Sequence, residues 1–250
     1  MARTKDALHS GFGLGIKLLE YLVDVPAPQG VSQIAKALGL AVSTTHDTLH
    51  LLMELGMVEM RAATKTYQVT PRLLDLASHI ARHFTLNVRV QQAMLDFSHE
   101  EELSACLCIL DGHESRIAFA SGPLGSTVVI GAHGPVYATA AGKAIVSCFP
   151  ESDWPVFMPP PDAPQCTPDT NTDPAVFQRE LQEARERGVA WNHKESEENI
   201  VSVAAPIRSG DGEARHAVAL MFEASHMHFI DEARMEAKVQ VLAASLAGLI

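Results

Sequence analysis

The chain has 250 residues, a formal net charge of −11, 47 % hydrophobic residues and 20 % charged residues. This composition is typical of globular proteins, and the length allows one large domain or two of ordinary size. No apolar run reaches the roughly 18 residues that a membrane span needs, and the N-terminal segment lacks the apolar core of a signal peptide. We therefore expect a cytoplasmic protein without a membrane partner.

The charge is distributed unevenly along the chain. Residues 1–70 contain six Lys/Arg and six Asp/Glu, whereas the remaining residues contain 13 basic and 24 acidic side chains. An acidic surface repels the phosphates of DNA. If the protein binds DNA, the neutral N-terminal part must make the contacts.

Three helices and a hairpin are predicted within residues 1–70. "GLGIKLLEYLV" has its leucines at helical spacing, "VSQIAKALGL" follows with Ser32 as its predicted N-cap, and "AVSTTHDTLHLLMELG" follows with Ser43 as its predicted N-cap. The alternating runs "GMVEM" and "KTYQVT" flank "RAATK" and predict a β-hairpin. This order is typical of a winged helix-turn-helix, and a small helical interaction module without nucleic acid is the alternative.

The third helix opens with short polar residues, at the place where a recognition helix meets DNA. It contains no Lys or Arg, and Asp47 lies near its middle. An Asp can accept a hydrogen bond from the cytosine amino group in the major groove, and a solvated position pointing away from DNA is the alternative. Further cations are Arg3 and Lys5 on an N-terminal arm and two on the hairpin. The predicted DNA-binding residues are Ser32, Ser43, Thr44, Thr45, His46, Asp47, Arg61 and Lys65.

A linker helix is predicted over residues 71–85 and a second domain over residues 86–250. In that domain "LSACLCIL" and "SRIAFAS" flank the turn "DGHE", and "GVAWN", "IVSVAAPI" and "HAVALMF" are predicted strands. A closing helix is predicted in "DEARMEAKVQVLAASLAGLI". The pattern indicates an α+β domain with a mostly antiparallel sheet.

The chain resembles the IclR family of bacterial transcriptional regulators over nearly its whole length. Three stretches in the right order carry the resemblance: "STTHDTLHLLMELGMV" (43–58), "ATAAGKAI" (138–145) and "GVAWNHKESEENIVSVAAPIR" (188–208). The resemblance implies a winged helix-turn-helix joined by a linker helix to a GAF-like effector domain. It also implies a homodimer or tetramer that binds operator DNA and responds to a small metabolite.

Two departures from the family pattern concern DNA. Asp47 stands where the family usually has an Arg in the recognition helix, and Leu14 stands where the first helix often has another. A good bidentate Arg contact supplies about 1–3 kcal/mol of base discrimination. We therefore expect weaker DNA binding than is usual in the family, carried by fewer charges.

The effector site is expected in the second domain. Small residues in "TAAG" precede a helix and expose N–H groups to an anion, with tight packing as the alternative. By the resemblance, Ser202 stands where the family often has a small polar residue. Residues 220–223, "LMFE", stand where the family tends to have a run with two hydroxyl side chains. Leu220 and Phe222 share one strand face, which either lines an apolar pocket or packs as core. The predicted effector-binding residues are Ala140, Ala141, Gly142, Ser202, Leu220 and Phe222. We expect a small effector such as a carboxylate with an apolar body.

Metal, cofactor and catalytic sites are not expected. Two His pairs have the helical spacing of a chelating pair but lack further ligands, and Cys106 and Cys108 share a strand face, where thiols pack as small hydrophobes. The sequence contains no G-x-S-x-G, H-E-x-x-H, P-loop or G-x-G-x-x-G. For Glu195 we expect a structural hydrogen bond rather than acid–base chemistry.

These observations predict a ligand-responsive transcriptional regulator of a metabolic operon that senses a small organic acid through its C-terminal domain. The alternative is a metabolite-binding protein of the same architecture whose DNA binding is degenerate. A recognition helix without cations makes few contacts, and two symmetric half-sites double them. We therefore expect a homodimer or tetramer.

Overall fold

The computed structural model describes residues 11–83, 88–125, 128–208 and 214–250. Its contacts group the chain into two compact units, residues 1–84 and 85–250, and each is described by itself. Over the described residues, no helix has the length and apolar character required to span a membrane.

The first unit contains helices and a small sheet. Its elements are α1 (Gly11–Asp24), β1 (Gln29–Gly30), α2 (Val31–Leu38), α3 (Val42–Glu54), β2 (Val58–Arg61), β3 (Thr66–Val69) and α4 (Arg72–His83). Leu18 and Leu22 of α1, Ile34 of α2, and Leu49 and Leu52 of α3 are buried together, because spacings of three and four residues place them on the inner face of each helix. The predicted order of three helices and a hairpin is confirmed.

The small sheet has the antiparallel order β1-β3-β2. Gln29 pairs with Tyr67, so the hairpin gains a third strand that was not predicted. Pro26 and Pro28 precede β1, and each fixes its own φ and favours an extended residue before it, which is compatible with a chain that enters the sheet extended.

The predicted N-caps Ser32 and Ser43 are wrong by two residues. The caps are Gly30 and Ala41, both in extended conformation. The Gly30 N–H donates to Gln33 Oε1 at 2.8 Å, so a side chain inside the helix closes the turn without a serine. Both serines lie in the first turn of their helices instead.

The second unit is an α+β domain. Its helices are α5 (Val88–Glu101), α6 (Ala140–Val146), α7 (Pro174–Arg187) and α8 (Glu232–Ala247), and its strands are β4 (Ser104–Asp111), β5 (Glu114–Ser121), β6 (His133–Pro135), β7 (Ala190–His193), β8 (Ile200–Arg208) and β9 (Ala214–Glu223). The strands form one sheet in the order β6-β5-β4-β9-β8-β7, and every paired neighbour is antiparallel. The predicted antiparallel sheet is confirmed.

The two faces of this sheet have different roles. One face packs in the hydrophobic core with Met94 of α5 and with Met235 and Val239 of α8. The opposite face carries smaller side chains and packs with Ala144 and Ile145 of α6. Consecutive residues of each strand therefore belong to two separate layers.

Leu220 and Phe222 point into the layer formed with α5 and α8. Both are buried there, Leu220 completely and Phe222 to 6 % exposure. This placement corrects the prediction that they bind an effector, and the alternative interpretation as core residues is the right one.

Phe222→Ala is expected to lower the free energy of unfolding by about 3–5 kcal/mol, because it removes a buried ring from the core. Phe229→Ala is the matched control, since Phe229 is 79 % exposed, and it should change the free energy by less than about 0.5 kcal/mol. Urea unfolding followed by circular dichroism measures both. Equal stability of the Phe222 variant and the wild type would contradict this assignment.

Candidate functional site

The outer face of α3 carries polar residues without a permanent cation. Ser43, Thr44, His46, Asp47 and His50 are exposed, and the Asp47 side chain is 82 % exposed. His46 Nδ1 lies 3.6 Å from Asp47 Oδ1, and the two imidazole rings are 4.6 Å apart between centroids. The face thus offers hydroxyls, imidazoles and one carboxylate to a partner.

Thr45 does not belong to this face. Its side chain is fully buried, and its hydroxyl donates to the Ala41 carbonyl oxygen at 3.0 Å. A hydroxyl held in this way cannot reach a base or a phosphate. The prediction of Thr45 as a DNA-binding residue is therefore corrected, whereas Ser32 on α2 is exposed.

Two cations of the first unit lie on the hairpin that follows α3. Arg61 and Lys65 are exposed at the end of β2 and in the β2–β3 turn, as the hairpin pattern predicts. Arg3 and Lys5 lie outside the described residues. Arg72 was not predicted as a cation of this region: its guanidinium Nη1 lies 3.3 Å from the point where a Cβ on Gly56 would be, just beyond the end of α3.

A cavity of about 420 Å³ lies between α6 and the face of the sheet that carries the smaller side chains. Its size falls in the range of about 300–1,000 Å³ that is typical of small-molecule sites. Cys106, Ser202 and Met221 on the sheet line it, and Ile117 and Leu124 contribute further apolar surface. The register places Ser202 beside Met221, so these two side chains reach the cavity from neighbouring strands.

The cavity wall contains polar groups at fixed positions. Asn192 Nδ2 donates to Ser196 Oγ at 2.8 Å, and the Ser115 and Thr139 hydroxyls lie 2.9 Å apart. Ser202 is 8 % exposed, and its side chain forms part of the cavity wall. Among the described residues, no fully buried polar side-chain atom lacks a hydrogen-bond partner. A hydroxyl in the wall of a cavity can donate to or accept from a bound ligand.

Permanent positive charge is absent from the described part of the lining, which contains no Lys or Arg. The imidazole of His133 lines the cavity, and its Nδ1 lies 2.8 Å from Glu114 Oε2. Glu197 adds a negative charge to the wall. A carboxylate in the cavity would therefore depend on hydroxyl donors or, at the β6 edge of the sheet, on His133.

The predicted residues of "TAAG" divide into two groups. Ala140 and Ala141 line the cavity, but Gly142 does not. The Gly142 N–H donates to Thr139 Oγ1 at 3.2 Å, so it is not available to an anion. A Cβ on Gly142 would lie 2.5 Å from Val136 Cα, which shows that close packing requires a glycine here. Gly142 is therefore required for tight packing of α6 and does not bind an anion, which corrects its assignment as an effector-binding residue.

A buried ion pair joins α6 to the cavity wall, and sequence analysis missed half of it. Lys143 is 1 % exposed, and its Nζ lies 2.5 Å from Glu195 Oε2 and 2.9 Å from Glu180 Oε1. Burial raises the pKa of the Glu180 carboxyl, and the Lys143 ammonium opposes this change. The Glu195 N–H donates to Asn192 Oδ1 at 2.7 Å, so the pair also holds the loop that carries a cavity residue.

Comparison with known proteins identifies related sequences. The chain matches the IclR helix-turn-helix domain over residues 15–62 and the bacterial transcriptional regulator IclR C-terminal family over residues 115–247. It is 31 % identical over 183 residues to a glycerol operon regulatory protein of Streptomyces griseus. The matched region covers 71 % of this chain and 70 % of that protein. It is 29 % identical over 213 residues to an HTH-type transcriptional regulator of Mycobacterium tuberculosis. The matched region covers 83 % of this chain and 81 % of that protein. These relatives are regulators rather than enzymes, in agreement with the sequence analysis.

Two solved structures have a similar fold. The IclR of Thermotoga maritima has a TM-score of 0.73 at 24 % identity and covers 94 % of this chain and 98 % of that chain. An IclR homologue of Microbacterium hydrocarbonoxydans, complexed with 4-hydroxybenzoate, has a TM-score of 0.76 at 20 % identity and covers 96 % and 98 %. At these identities the likeness supports the fold.

Lys143→Met is expected to lower the free energy of unfolding by about 3–5 kcal/mol, because it leaves the Glu195 carboxylate buried without its partner. The double variant Lys143→Met/Glu195→Gln should be more stable than Lys143→Met alone, because the more deeply buried of the two carboxylates no longer carries an unpaired charge, while the Glu180 side chain is 29 % exposed. Lys194→Met is the control, since its ion pair with Asp169 is half exposed and contributes about 1 kcal/mol or less. Additive losses in the double variant, measured by urea unfolding, would contradict the buried pair.

Proposed function

The chain belongs to the IclR family of bacterial transcriptional regulators, and from this membership we propose that it controls a metabolic operon in response to a small molecule held in the cavity beside α6. The observation that carries the proposal is the cavity itself, with its apolar wall and the hydroxyl of Ser202 in its lining. We place this activity in the cytoplasm, where operator DNA and metabolites are both present.

Operator DNA is proposed to contact the exposed face of α3 and the β2–β3 wing. Ser43 and Thr44 lie in the first turn of α3, where hydroxyls and helix N–H groups can contact phosphates or base edges. Asp47 is exposed enough to accept a hydrogen bond from a cytosine amino group. Arg61 and Lys65 supply phosphate contacts from the wing. A homodimer or tetramer would present two such faces to a symmetric operator.

A second candidate function is favoured by two features of α3. The absence of Lys and Arg from α3 and the exposed carboxylate of Asp47 both weaken attraction to phosphate. A metabolite-binding protein of this family with degenerate DNA binding would have the same features. Direct titration with DNA distinguishes the two functions.

The proposed effector is a small organic acid with an apolar body. Ile117, Leu124 and Met221 would contact the apolar part, and the hydroxyl of Ser202 would donate to the carboxylate. A related protein of this fold is complexed with an aromatic acid, 4-hydroxybenzoate. A panel of aromatic and aliphatic acids, each with its neutral amide, tests this class by thermal shift.

Ser202→Ala is expected to weaken binding of the best acid from this panel about 5–10-fold, because it removes one hydrogen bond worth about 1 kcal/mol. Isothermal titration calorimetry measures the dissociation constant of each variant. Ser225→Ala is the matched control, since Ser225 is exposed and lies outside the cavity lining, and it should bind like the wild type. Unchanged affinity of the Ser202 variant would exclude its hydroxyl from the site.

DNA binding is expected to show a shallow salt dependence, because the logarithmic slope is about −0.9 per phosphate neutralised and few cations lie beside α3. Asp47→Arg should tighten non-specific binding and steepen the slope by roughly one unit per subunit. Asp162→Arg makes the same charge change at an exposed position in the second unit and should leave the slope unchanged.

Fluorescence anisotropy at several salt concentrations measures these slopes. The probes are a duplex from the region upstream of the protein's own gene and a shuffled duplex of equal composition. If the wild type binds neither duplex at low salt while an acid from the panel still binds, the regulator function fails and the metabolite-binding alternative stands.

A further inference from the structure

Three of the four cysteines line the cavity. Cys106 and Cys108 are buried on β4, and Cys166 lies at an exposed point of the rim. Because they are two positions apart on one strand, Cys106 and Cys108 point to the same side of the sheet. Their Sγ atoms are 3.7 Å apart. These thiols were predicted to pack as small hydrophobes, and in the structure they also line the cavity.

We propose that Cys106 and Cys108 form a dithiol site for trivalent arsenicals that carry one organic group. The arsenic would bridge the two sulfurs, and its organic group would lie against apolar residues such as Ile117 and Met221. This site is distinct in chemistry from the proposed acid effector. It depends on the thiol pair and the cavity, and it does not depend on DNA binding.

The sulfur separation is compatible with a single bridging centre. Two thiolates at about 2.3 Å from a tetrahedral centre lie about 3.8 Å apart, close to the observed separation, whereas a linear centre places them about 4.6 Å apart. A tetrahedral metal ion needs more ligands, and the described residues contain no group of three or more His, Cys, Asp or Glu that could hold one. Pyramidal trivalent arsenic with one carbon substituent needs only two sulfurs, at a separation slightly shorter than the tetrahedral one.

The protonation of the thiols favours a neutral condensation. The hydrogen bond with Cys106 and burial both raise the pKa of the Cys108 thiol well above its usual value. A metal cation would have to displace both protons from such a pair. An organoarsonous acid, R–As(OH)2, instead condenses with two thiols: two As–O and two S–H bonds break, two As–S bonds form, and the protons leave in two molecules of water. Arsenic remains trivalent, and no net charge enters the cavity.

A direct disulfide between the two cysteines is less favourable. Residues two apart on a strand have Cα atoms about 6.6 Å apart. Disulfides usually need about 4.4–6.8 Å, so this pair lies at the upper end of the range. A bridge through an inserted atom requires less movement of β4.

The test uses the full-length protein, reduced with a phosphine and treated with phenylarsine oxide, which hydrates to the arsonous acid. Native mass spectrometry should show one phenylarsenic group per chain, and a thermal melt should show a higher midpoint, because the ligand binds the folded cavity. Trypsin should place the adduct on peptide 90–116, which contains Cys106 and Cys108 and no other cysteine. Peptide 144–179 contains Cys148 and Cys166 and serves as the internal control.

Serine variants provide the matched comparison. Cys106→Ser and Cys108→Ser should each lose the adduct after dialysis, whereas Cys148→Ser and Cys166→Ser should retain it. The peptide map of the wild-type protein decides the matter even if a buried serine impairs folding. An adduct on peptide 144–179, a bridge between the two peptides, loss of the adduct in Cys166→Ser, or a lowered melting midpoint would each overturn the proposal.

Discussion

The alternation of side chains along the central strands determines what the second unit can do. In β9, Leu220 and Phe222 point to one face of the sheet, while Ala219 and Met221 point to the other. The first face is filled by large residues against two helices, whereas the second carries Ala, Cys and Ser and leaves room for a cavity. A shift of one residue in the strand register would exchange the faces and remove both the core and the cavity.

The buried ion pair of Lys143 and Glu195 connects this cavity to the helix above it. Charges out of water are costly, so such a pair contributes a defined geometry more than it contributes stability. The Glu195 carbonyl also accepts a hydrogen bond from the Thr170 hydroxyl at 2.6 Å, which anchors the same loop from a further segment. The loop after β7, which carries the cavity residues Ser196 and Glu197, is therefore held from two sides.

The sequence predicts most elements correctly but not the direction of every side chain. Hydrophobic periodicity and turn residues locate the helices and strands, since these signals are local. The side of β9 that meets the cavity could not be predicted, because both faces of this strand are apolar and the alternation alone does not show which face is covered. Thr45 was assigned by its place in the first turn, and only the packing of α3 shows that it is buried. Lys143 and Glu195 lie 52 residues apart, so no spacing pattern could join them.

Methyl-resolved NMR of the methionines tests this division of the sheet most directly. Met221 lines the cavity, whereas Met94 and Met235 lie in the core on the opposite face. With the protein labelled at its methionine methyl groups and titrated with a binding acid, the account predicts that the Met221 resonance moves with the ligand while those of Met94 and Met235 stay nearly constant. Movement of Met94 and Met235 with a constant Met221 would contradict the account, because the ligand would then occupy the face that the structure assigns to the core.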